Sequence, residues 1–296
     1  MQNNLLMQRY SQPHQSLSRW VAHYWGWQIP AGRGLPDLFP GTGGEVLFNL
    51  GAPLMFSAFP LSTDGEQTTY RFMVPTGEAV LLRPRKARLK ISATGEIDIL
   101  SIRLRSATSF PLFGFALDEL SDMPIPLADL GLFFPAVELL GLPYETRTSL
   151  LEQWLLALCM RCHTTDSAMI WAIDRLYYGE DLWFIRQQLG MNERTMQRRI
   201  RQFTGVDARY FCRTARFQRA LRQLLTESPI YCNTNNDDYF DQSHFIKTCR
   251  LYTGLTPSRL LTAQFRELNY YLPARLCPLI ARGAIADPKA RYQGGG

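Results

Sequence analysis

Two short segments of the chain repeat a pattern of hydrogen-bond donors. The first is Met191–Gly205 (MNERTMQRRIRQFTG), and a diverged copy, Phe240–Gly254 (FDQSHFIKTCRLYTG), follows 49 residues later. Arginine can donate two hydrogen bonds to the guanine edge in the major groove, and the side chains of arginine and lysine both bind phosphate. The repeat therefore favours nucleic-acid contact over bond-breaking chemistry. The donors that recur along one side of the two copies are Arg194, Arg198, Arg201, Ser243, Lys247 and Arg250.

Helical periodicity predicts the element that positions these donors. At about 100° per residue, the side opposite the donors in each copy carries apolar residues at positions i, i+4 and i+7. Each copy is therefore expected to bury one side and to offer a mostly cationic side to solvent. The apolar positions in the two copies are Met196, Ile200, Phe203, Phe245, Cys249 and Tyr252.

Both copies also carry the residues that begin and end a helix. Asn192 and Asp241 can cap a helix N-terminus by accepting a hydrogen bond from its backbone N–H groups. Gly205 and Gly254 suit the left-handed turn that ends a helix. A lone helix of this kind would be interpreted as an amphipathic helix with a solvated charged face. Repetition of both faces at a fixed interval favours a pair of DNA-recognition helices.

The basic charge of the chain is concentrated in one segment. The 296 residues carry a formal net charge of +6, and the segment from Glu180 to Arg222 holds ten arginines against four acidic residues. Such a local field attracts phosphate and releases counterions on binding. The partner expected from this pattern is double-stranded DNA.

The same region resembles the AraC/XylS transcription regulators over about Met169–Leu261. The resemblance rests on four motifs: Ile185–Phe203 with the turn LGMN at 189–192, the connector RFQRAL at 216–221, DQSHF at 241–245 and TGLTP at 253–257. It implies a unit in which two helix-turn-helix motifs, joined by a central helix, enter successive segments of the major groove. It also implies an activator that contacts RNA polymerase, and an N-terminal domain that senses a small-molecule effector or forms a homodimer.

We assign the DNA contacts by their place on the two helices. The first two exposed turns of the first copy are expected to reach base edges, through Arg194, Gln197 and Arg198. The expected phosphate contacts are Arg201, Arg209, Arg213 and Lys247. The set is completed by Thr195, Ser243, His244 and Arg250.

Two departures from the family pattern concern the supporting helices. Arg186 stands where a small alanine is expected, and its long side chain can extend to the surface. In the second motif the stretch CNTNNDD at 232–238 holds turn formers where a packed helix is expected. We therefore expect the second helix-turn-helix motif to bind DNA more weakly than the first. The poorly suited positions are Tyr231, Thr234 and Asp238, aligned with Leu182, Ile185 and Leu189.

The N-terminal half reads mainly as strands, followed by helices from Pro126. The strand candidates are short, rich in β-branched and aromatic residues and separated by glycine and proline clusters. The predicted fold class is α+β: a small β-barrel or sandwich, sensor-like domain with a helical extension (1–166), an all-α double helix-turn-helix domain (167–266) and a tail (267–296). The predicted strands and helices are Trp20–Gln28, Glu45–Leu50, Arg71–Val74, Ala87–Ala93, Asp98–Leu104, Pro135–Leu140 and Arg147–Arg161.

Four aromatic residues of this half are the candidates for an effector pocket. They could line an apolar cavity or fill the core, and the core is favoured because large aromatic side chains dominate ordinary cores. No run of about eighteen apolar residues suggests a membrane span, and the N-terminus lacks a secretory segment, so we expect a cytoplasmic protein with no membrane contact. The four aromatic residues are Trp25, Trp27, Phe48 and Phe56.

Two other function classes remain open at this point. A cupin-like metal enzyme would need clustered ligands, whereas the four histidines are scattered at 14, 23, 163 and 244. An interaction protein that has lost full DNA readout is the second alternative. The motif Cys159-Met-Arg-Cys162-His163 matches a haem attachment pattern, which we interpret as chance because short motifs match often by accident. We expect neither metal nor cofactor.

Overall fold

Two antiparallel β-sheets form the N-terminal half of the molecule. The computed structural model describes residues 7–33, 35, 37–60, 70–162, 166–226 and 242–261. A six-stranded sheet has the order β1-β2-β8-β3-β6-β9, and a three-stranded sheet has the order β5-β4-β7. The strands are β1 (Met7–Ser11), β2 (Val21–Ile29), β3 (Glu45–Asn49), β4 (Leu54–Pro60), β5 (Tyr70–Val74), β6 (Glu78–Leu82), β7 (Ala87–Ala93), β8 (Ile97–Leu104) and β9 (Ile125–Pro126).

Helices follow the strands and continue to the end of the described chain. They are α1 (Ser109–Phe113), α2 (Tyr144–Arg161), α3 (Ser167–Tyr177), α4 (Leu182–Gln188), α5 (Glu193–Thr204), α6 (Ala208–Thr226), α7 (Gln242–Thr253) and α8 (Pro257–Leu260). Short 3-10 turns, including Leu117–Glu119 and Ala136–Leu139, connect β8 to α2. None of the described helices combines the length and apolarity needed to cross a bilayer.

The central strands of the larger sheet are covered on both faces. Successive side chains of a strand point to opposite faces, so Leu47 packs against the three-stranded sheet while Val46 and Phe48 pack in a second cluster with α2. Every residue of β3 is buried for this reason. The two sheets thus form a sandwich, and α2 closes the outer face of the larger one.

Two ion pairs lie largely buried in the sandwich half. Glu45 is fully buried and accepts a hydrogen bond from Trp25 Nε1 at 2.5 Å, and its second carboxylate oxygen lies 3.5 Å from Arg103 Nη1. Arg147 of α2 donates to both carboxylate oxygens of Asp98 on β8, at 2.7 and 2.8 Å. The pair between Arg147 and Asp98 fixes α2 to the N-terminal end of β8.

The α+β fold class is confirmed, and the described strands form a sandwich of two separate sheets rather than a closed barrel. Each predicted strand is present to within one residue at each end, and α2 begins three residues before the predicted Arg147. The Pro135–Leu140 segment forms a 3-10 turn rather than an α-helix. The sequence did not predict β1, β4, β6 or β9.

The GTGG segment at 41–44 serves close packing. A Cβ atom on Gly43 would collide with the carbonyl oxygen of Leu104, and one on Gly44 would lie 2.5 Å from Ser109 Oγ. The backbone of this loop therefore lies directly on the end of β8, and this close packing accounts for Gly43 and Gly44.

The apolar core of the sandwich continues into the helical region. Phe217 and Leu221 of α6, Tyr252 of α7 and Leu260 of α8 belong to the same buried cluster as Trp25 in β2. The predicted boundary at residue 166 therefore separates segments of sequence that share a core, and it stays a prediction of domain organisation.

We predict that the pair between Arg147 and Asp98 stabilises the fold measurably. Arg147→Ala would leave a largely buried carboxylate without its partner, a loss worth about 3–5 kcal/mol. Arg161→Ala, at the exposed end of the same helix, should change the free energy of unfolding by less than about 0.5 kcal/mol. Urea unfolding followed by circular dichroism measures both. Equal effects of the two variants would contradict the role given to the pair.

Candidate nucleic-acid interface

The first copy of the repeat forms a helix-turn-helix with a defined start and end. The carboxylate of Asp181 accepts from Trp183 N at 2.7 Å and so caps α4, and Asn192 Oδ1 accepts from Thr195 N at 2.9 Å and caps α5. Gly190, with φ +59°, makes the turn between the helices, and Gly205, with φ +71°, ends α5. The caps predicted from sequence at Asn192 and Gly205 are therefore present.

The apolar side of α5 is completely buried. Met196, Ile200 and Phe203 have no exposed surface and pack in one cluster with Ile185 of α4 and with residues of α3 and α6. The ring of Phe203 also lies 4.8 Å from that of Phe110 in α1, so that α5 contacts both the helical region and the sandwich half. This packing fixes the rotation of α5 about its axis.

Burial of that side leaves the predicted donors of α5 at the surface. Arg194, Arg198 and Arg201 are all exposed, while Thr195 and Gln197 are half-buried. In the described part of the chain, no carboxylate forms an ion pair with any of these three arginines. Their guanidinium groups are therefore available to an external acceptor.

Arg186 on α4 forms an ion pair with Glu193 of α5. Its side chain is 23% exposed, and its Nη1 lies 3.5 Å from Glu193 Oε2 at the first turn of α5. The long side chain thus reaches the surface, as the sequence suggested. The substitution of a small residue by arginine at this position leaves the α4–α5 packing around Ile185 intact.

The second copy forms α7 with the same division of its faces. Cys249 and Tyr252 are fully buried and Phe245 is half-buried, at the positions predicted for the apolar side. The N-terminal cap predicted at Asp241 lies outside the described residues. The predicted donors of α7 are exposed: Ser243, His244, Lys247 and Arg250.

The two copies also end in the same way. Thr204 Oγ1 donates to Ile200 O at 2.7 Å, and Thr253 Oγ1 donates to Cys249 O at 2.7 Å. Gly254 then turns with φ +72°, as Gly205 does with +71°. The sequence repeat is therefore also a structural repeat.

The central helix α6 joins the two copies. The Phe217 ring stacks on that of Tyr252 at 4.6 Å, and Thr214 Oγ1 lies within hydrogen-bond distance of Tyr252 Oη, at 3.1 Å. Arg209 and Arg213 are exposed, as expected for phosphate contacts, and Arg213 also lies over the Tyr210 ring at 5.5 Å. Arg216, which is not among the predicted contacts, is exposed seven residues after Arg209 on the same side of α6.

A weaker second motif is expected from the residues that precede α7. That expectation rests on Tyr231, Thr234 and Asp238. These three residues lie outside the described part of the chain. Their counterparts in the first motif are Ile185, which is fully buried, and Leu182 and Leu189, which are half-buried in the same cluster. The asymmetry of the two motifs therefore stays a prediction.

The four aromatic candidates for an effector pocket all lie in packed core. Trp25, Trp27 and Phe56 belong to the cluster between the two sheets, with the two indole rings 5.0 Å apart. Phe48 points to the other face of the larger sheet, where its ring lies 5.3 Å from that of Phe134. The four side chains therefore do not converge on one site.

The metal and haem candidates are dispersed or poorly suited to ligation. Burial raises the pKa of the Cys159 thiol to about 11, which disfavours the thiolate that metals bind. Cys162 donates to the carbonyl oxygen of Pro111, and His163 lies outside the described residues. His14 caps a 3-10 turn, and the His23 ring lies 5.0 Å from that of Tyr10. Over the described ranges, no three potential metal ligands cluster.

Two family models match separate parts of the chain. Residues 185–263 match a helix-turn-helix domain, and residues 9–126 match a domain of unknown function (DUF6597). No curated protein matches the chain. The first match begins at the buried Ile185 of α4, and the second covers most of the sandwich.

The solved structures that match this chain share little sequence with it. ToxT from Vibrio cholerae O395 is 11% identical, with 80% of this chain and 96% of that chain covered and a TM-score of 0.47. ToxT from Vibrio cholerae strain SCE256 with a bound unsaturated fatty acid is 12% identical, with 80% and 94% covered and a TM-score of 0.48. A cupin superfamily protein from Desulfitobacterium hafniense DCB-2 is 12% identical, with 35% and 81% covered and a TM-score of 0.26.

We predict that the Asn192 cap holds the first turn of α5, where the exposed arginines begin. Asn192→Ala should lower the free energy of unfolding by about 1 kcal/mol, because the Thr195 N–H loses its acceptor. Asn192→Ser keeps a capping oxygen and should stay within a few tenths of wild type. Chemical denaturation of the three proteins measures the difference, and a serine variant as unstable as the alanine variant would exclude capping as the cause.

Proposed function

Because the chain belongs to the AraC/XylS family of transcription regulators, we propose that it reads duplex DNA by placing α5 and α7 in successive major-groove segments. The observation that carries this proposal is the structural repeat: each helix buries an apolar side, ends at a threonine and a left-handed glycine, and exposes a basic side. A helix of this kind fits the major groove, and its exposed donors face the base edges.

Base readout is assigned chiefly to α5. Arg194 and Arg198 lie one turn apart on its exposed side, and Gln197 lies beside them, half-buried. Arginine recognises guanine and glutamine recognises adenine through paired hydrogen bonds. Because Asn192 and the buried apolar stripe fix the helix, these side chains would be presented in a constant geometry.

Phosphate contacts are assigned to exposed arginines and lysine around the two readers. Arg201, Arg209, Arg213 and Lys247 would set the register of the protein on the duplex without distinguishing bases. Arg216 extends the exposed stripe of α6 and joins this group. The excess of arginine between residues 180 and 222 supplies the long-range attraction for the same purpose.

The remaining elements of the function follow from the family. We propose that the chain activates transcription by contact with RNA polymerase, works as a homodimer and responds to a small molecule, in the cytoplasm where its DNA is. Regulators of this family are generally not enzymes, which agrees with an exposed surface built from donors for phosphate and bases. A reporter gene placed behind a bound promoter, with and without the chain, tests activation.

We predict a steep salt dependence of DNA binding. Each phosphate neutralised by a basic side chain releases counterions, so the logarithm of the affinity should fall linearly with the logarithm of salt concentration, by roughly 0.9 per phosphate contact. Fluorescence anisotropy of a labelled duplex across a salt series measures the slope. A flat response would remove the role given to the arginines of α5 and α6.

We predict that α5 dominates sequence discrimination. Arg198→Ala should cost about 1–3 kcal/mol of binding and relax preference at particular bases. Lys247→Ala should cost less and act almost equally on all sequences, because a phosphate contact carries no base information.

Binding of both variants to a panel of single-base changes in a selected duplex separates the two roles. If Lys247→Ala lost more discrimination than Arg198→Ala, the second motif would be the main reader. If the wild-type chain selected no duplex from a random pool, the alternative of an interaction protein without DNA readout would be favoured.

A further inference from the structure

Arg83, which directly follows β6, contacts the end of the first recognition helix. Its Nη1 donates to the carbonyl oxygen of Gly205 at 2.9 Å, and its Nη2 lies 2.5 Å from Asp122 Oδ1. Its Nε donates to Ser121 O at 2.9 Å. The side chain is only 10% exposed, so the guanidinium group is held on all sides by acceptors of the sandwich half and of α5.

Arg88, in β7, makes the equivalent contact with the second recognition helix. Its Nη1 donates to the carbonyl oxygen of Thr253 at 2.9 Å, and its Nε lies 3.2 Å from Asp37 Oδ2. This side chain is 12% exposed. The two acceptors, Gly205 O and Thr253 O, lie one position apart in the repeat.

Both contacts meet a physical need of the helices. The last carbonyl groups of a helix have no partner within it, and the C-terminus carries partial negative charge. A buried guanidinium group satisfies the first and is attracted by the second. Gly205 and Gly254 also leave room for the approach: a Cβ on Gly205 would lie 2.6 Å from Arg83 Nη1, and one on Gly254 would collide with Arg88 Nη1.

The two arginines lie at one short connection. Residues 83–86 lead from β6 of the six-stranded sheet to β7 of the three-stranded sheet. Arg83 is the first residue of this connection, and Arg88 is the second residue of β7. Between them, the carbonyl oxygen of Arg85 accepts from Tyr210 Oη of α6 at 3.1 Å. One crossing between the sheets thus holds α5, α6 and α7.

We propose that Arg83 and Arg88 are positioning residues that fix the separation and angle of the two recognition helices, and so determine which spacing of half-sites the chain accepts. This inference rests on the proposed function, since it assumes that α5 and α7 read the same duplex. The stack of Phe217 on Tyr252 holds the C-terminal end of α7 against α6. The two arginine contacts attach the ends of α5 and α7 to the connection between the sheets as well. This second attachment restricts rotation of α7 about the Phe217–Tyr252 stack.

The first test measures the two helices without DNA. Spin labels carried by a ketone-bearing amino acid at the exposed positions 198 and 247 report the distance between the helices by pulsed electron resonance. We expect one narrow distance distribution for the otherwise unchanged chain and a broadened or shifted one when Arg83→Ala and Arg88→Ala are combined. Lys86→Ala is the matched control, because it removes a cation from the same connection. It loses a contact of 3.8 Å to Asp207 and a position 5.4 Å over the Tyr210 ring, and neither of these residues belongs to α5 or α7.

The second test measures spacing on DNA. A duplex selected from a random pool by the wild-type chain is rebuilt with one to five extra base pairs between its two contacted segments. Wild type should discriminate against the altered spacers by about tenfold or more, equivalent to about 1.4 kcal/mol. The double alanine variant should lose most of that discrimination while retaining its preference within each segment. Arg83→Lys and Arg88→Lys keep a cation and a donor, and should restore part of it.

Each result decides the inference. Broadened distances together with relaxed spacing, and a wild-type-like Lys86→Ala, support it. Unchanged distances in the double variant overturn it, whatever happens on DNA, and so does strict spacing retained by the double variant. If wild type selects no DNA while the distances broaden, the proposed function fails and the role in half-site spacing is overturned with it, although the arginines still hold the helices.

Discussion

The carbonyl groups at the C-terminal ends of α5 and α7 have no acceptor role within their own helices, and the need to give them partners is the constraint on which this arrangement depends. A helix that must present its outer side to DNA can be supported only from its inner side and its ends. In α5 the inner side is filled by Met196, Ile200 and Phe203, and the end at Gly205 is met by Arg83. The α7 helix repeats this solution with Arg88 at Thr253. The sandwich half thus supplies one donor to the C-terminal end of each helix.

Under the proposed function, the connection between the two sheets becomes part of the DNA-reading unit. Arg83 directly follows β6 of the larger sheet and Arg88 lies in β7 of the smaller one, so a change in how the sheets pack would move the ends of α5 and α7 relative to each other. The shared core reinforces the link, since Tyr252 packs in the same cluster as Trp25. A signal received by the sandwich would therefore have a short mechanical route to the readers, without passing through the chain between residues 162 and 182.

The sequence predicted what depends on local periodicity and missed what depends on distant contact. The donors and apolar stripes of α5 and α7 follow from a 3.6-residue period, and the strands β2, β3, β7 and β8 from turn signals and β-branched runs. Strand β4 (LMFSAFP) was missed because its run is nearly all apolar and carries little alternation. The contacts of Arg83 and Arg88 join residues 122 and 165 positions apart, and no local pattern marks them.

Hydroxyl-radical footprinting of the full chain on a duplex that it selects from a random pool tests the central claim most directly. Two recognition helices held in a fixed relation should protect two stretches on the same face of the DNA, separated by about one helical turn of roughly 10 base pairs. A single protected stretch, with the adjacent turn as reactive as free DNA, would show that only one helix reads the duplex and would contradict this account.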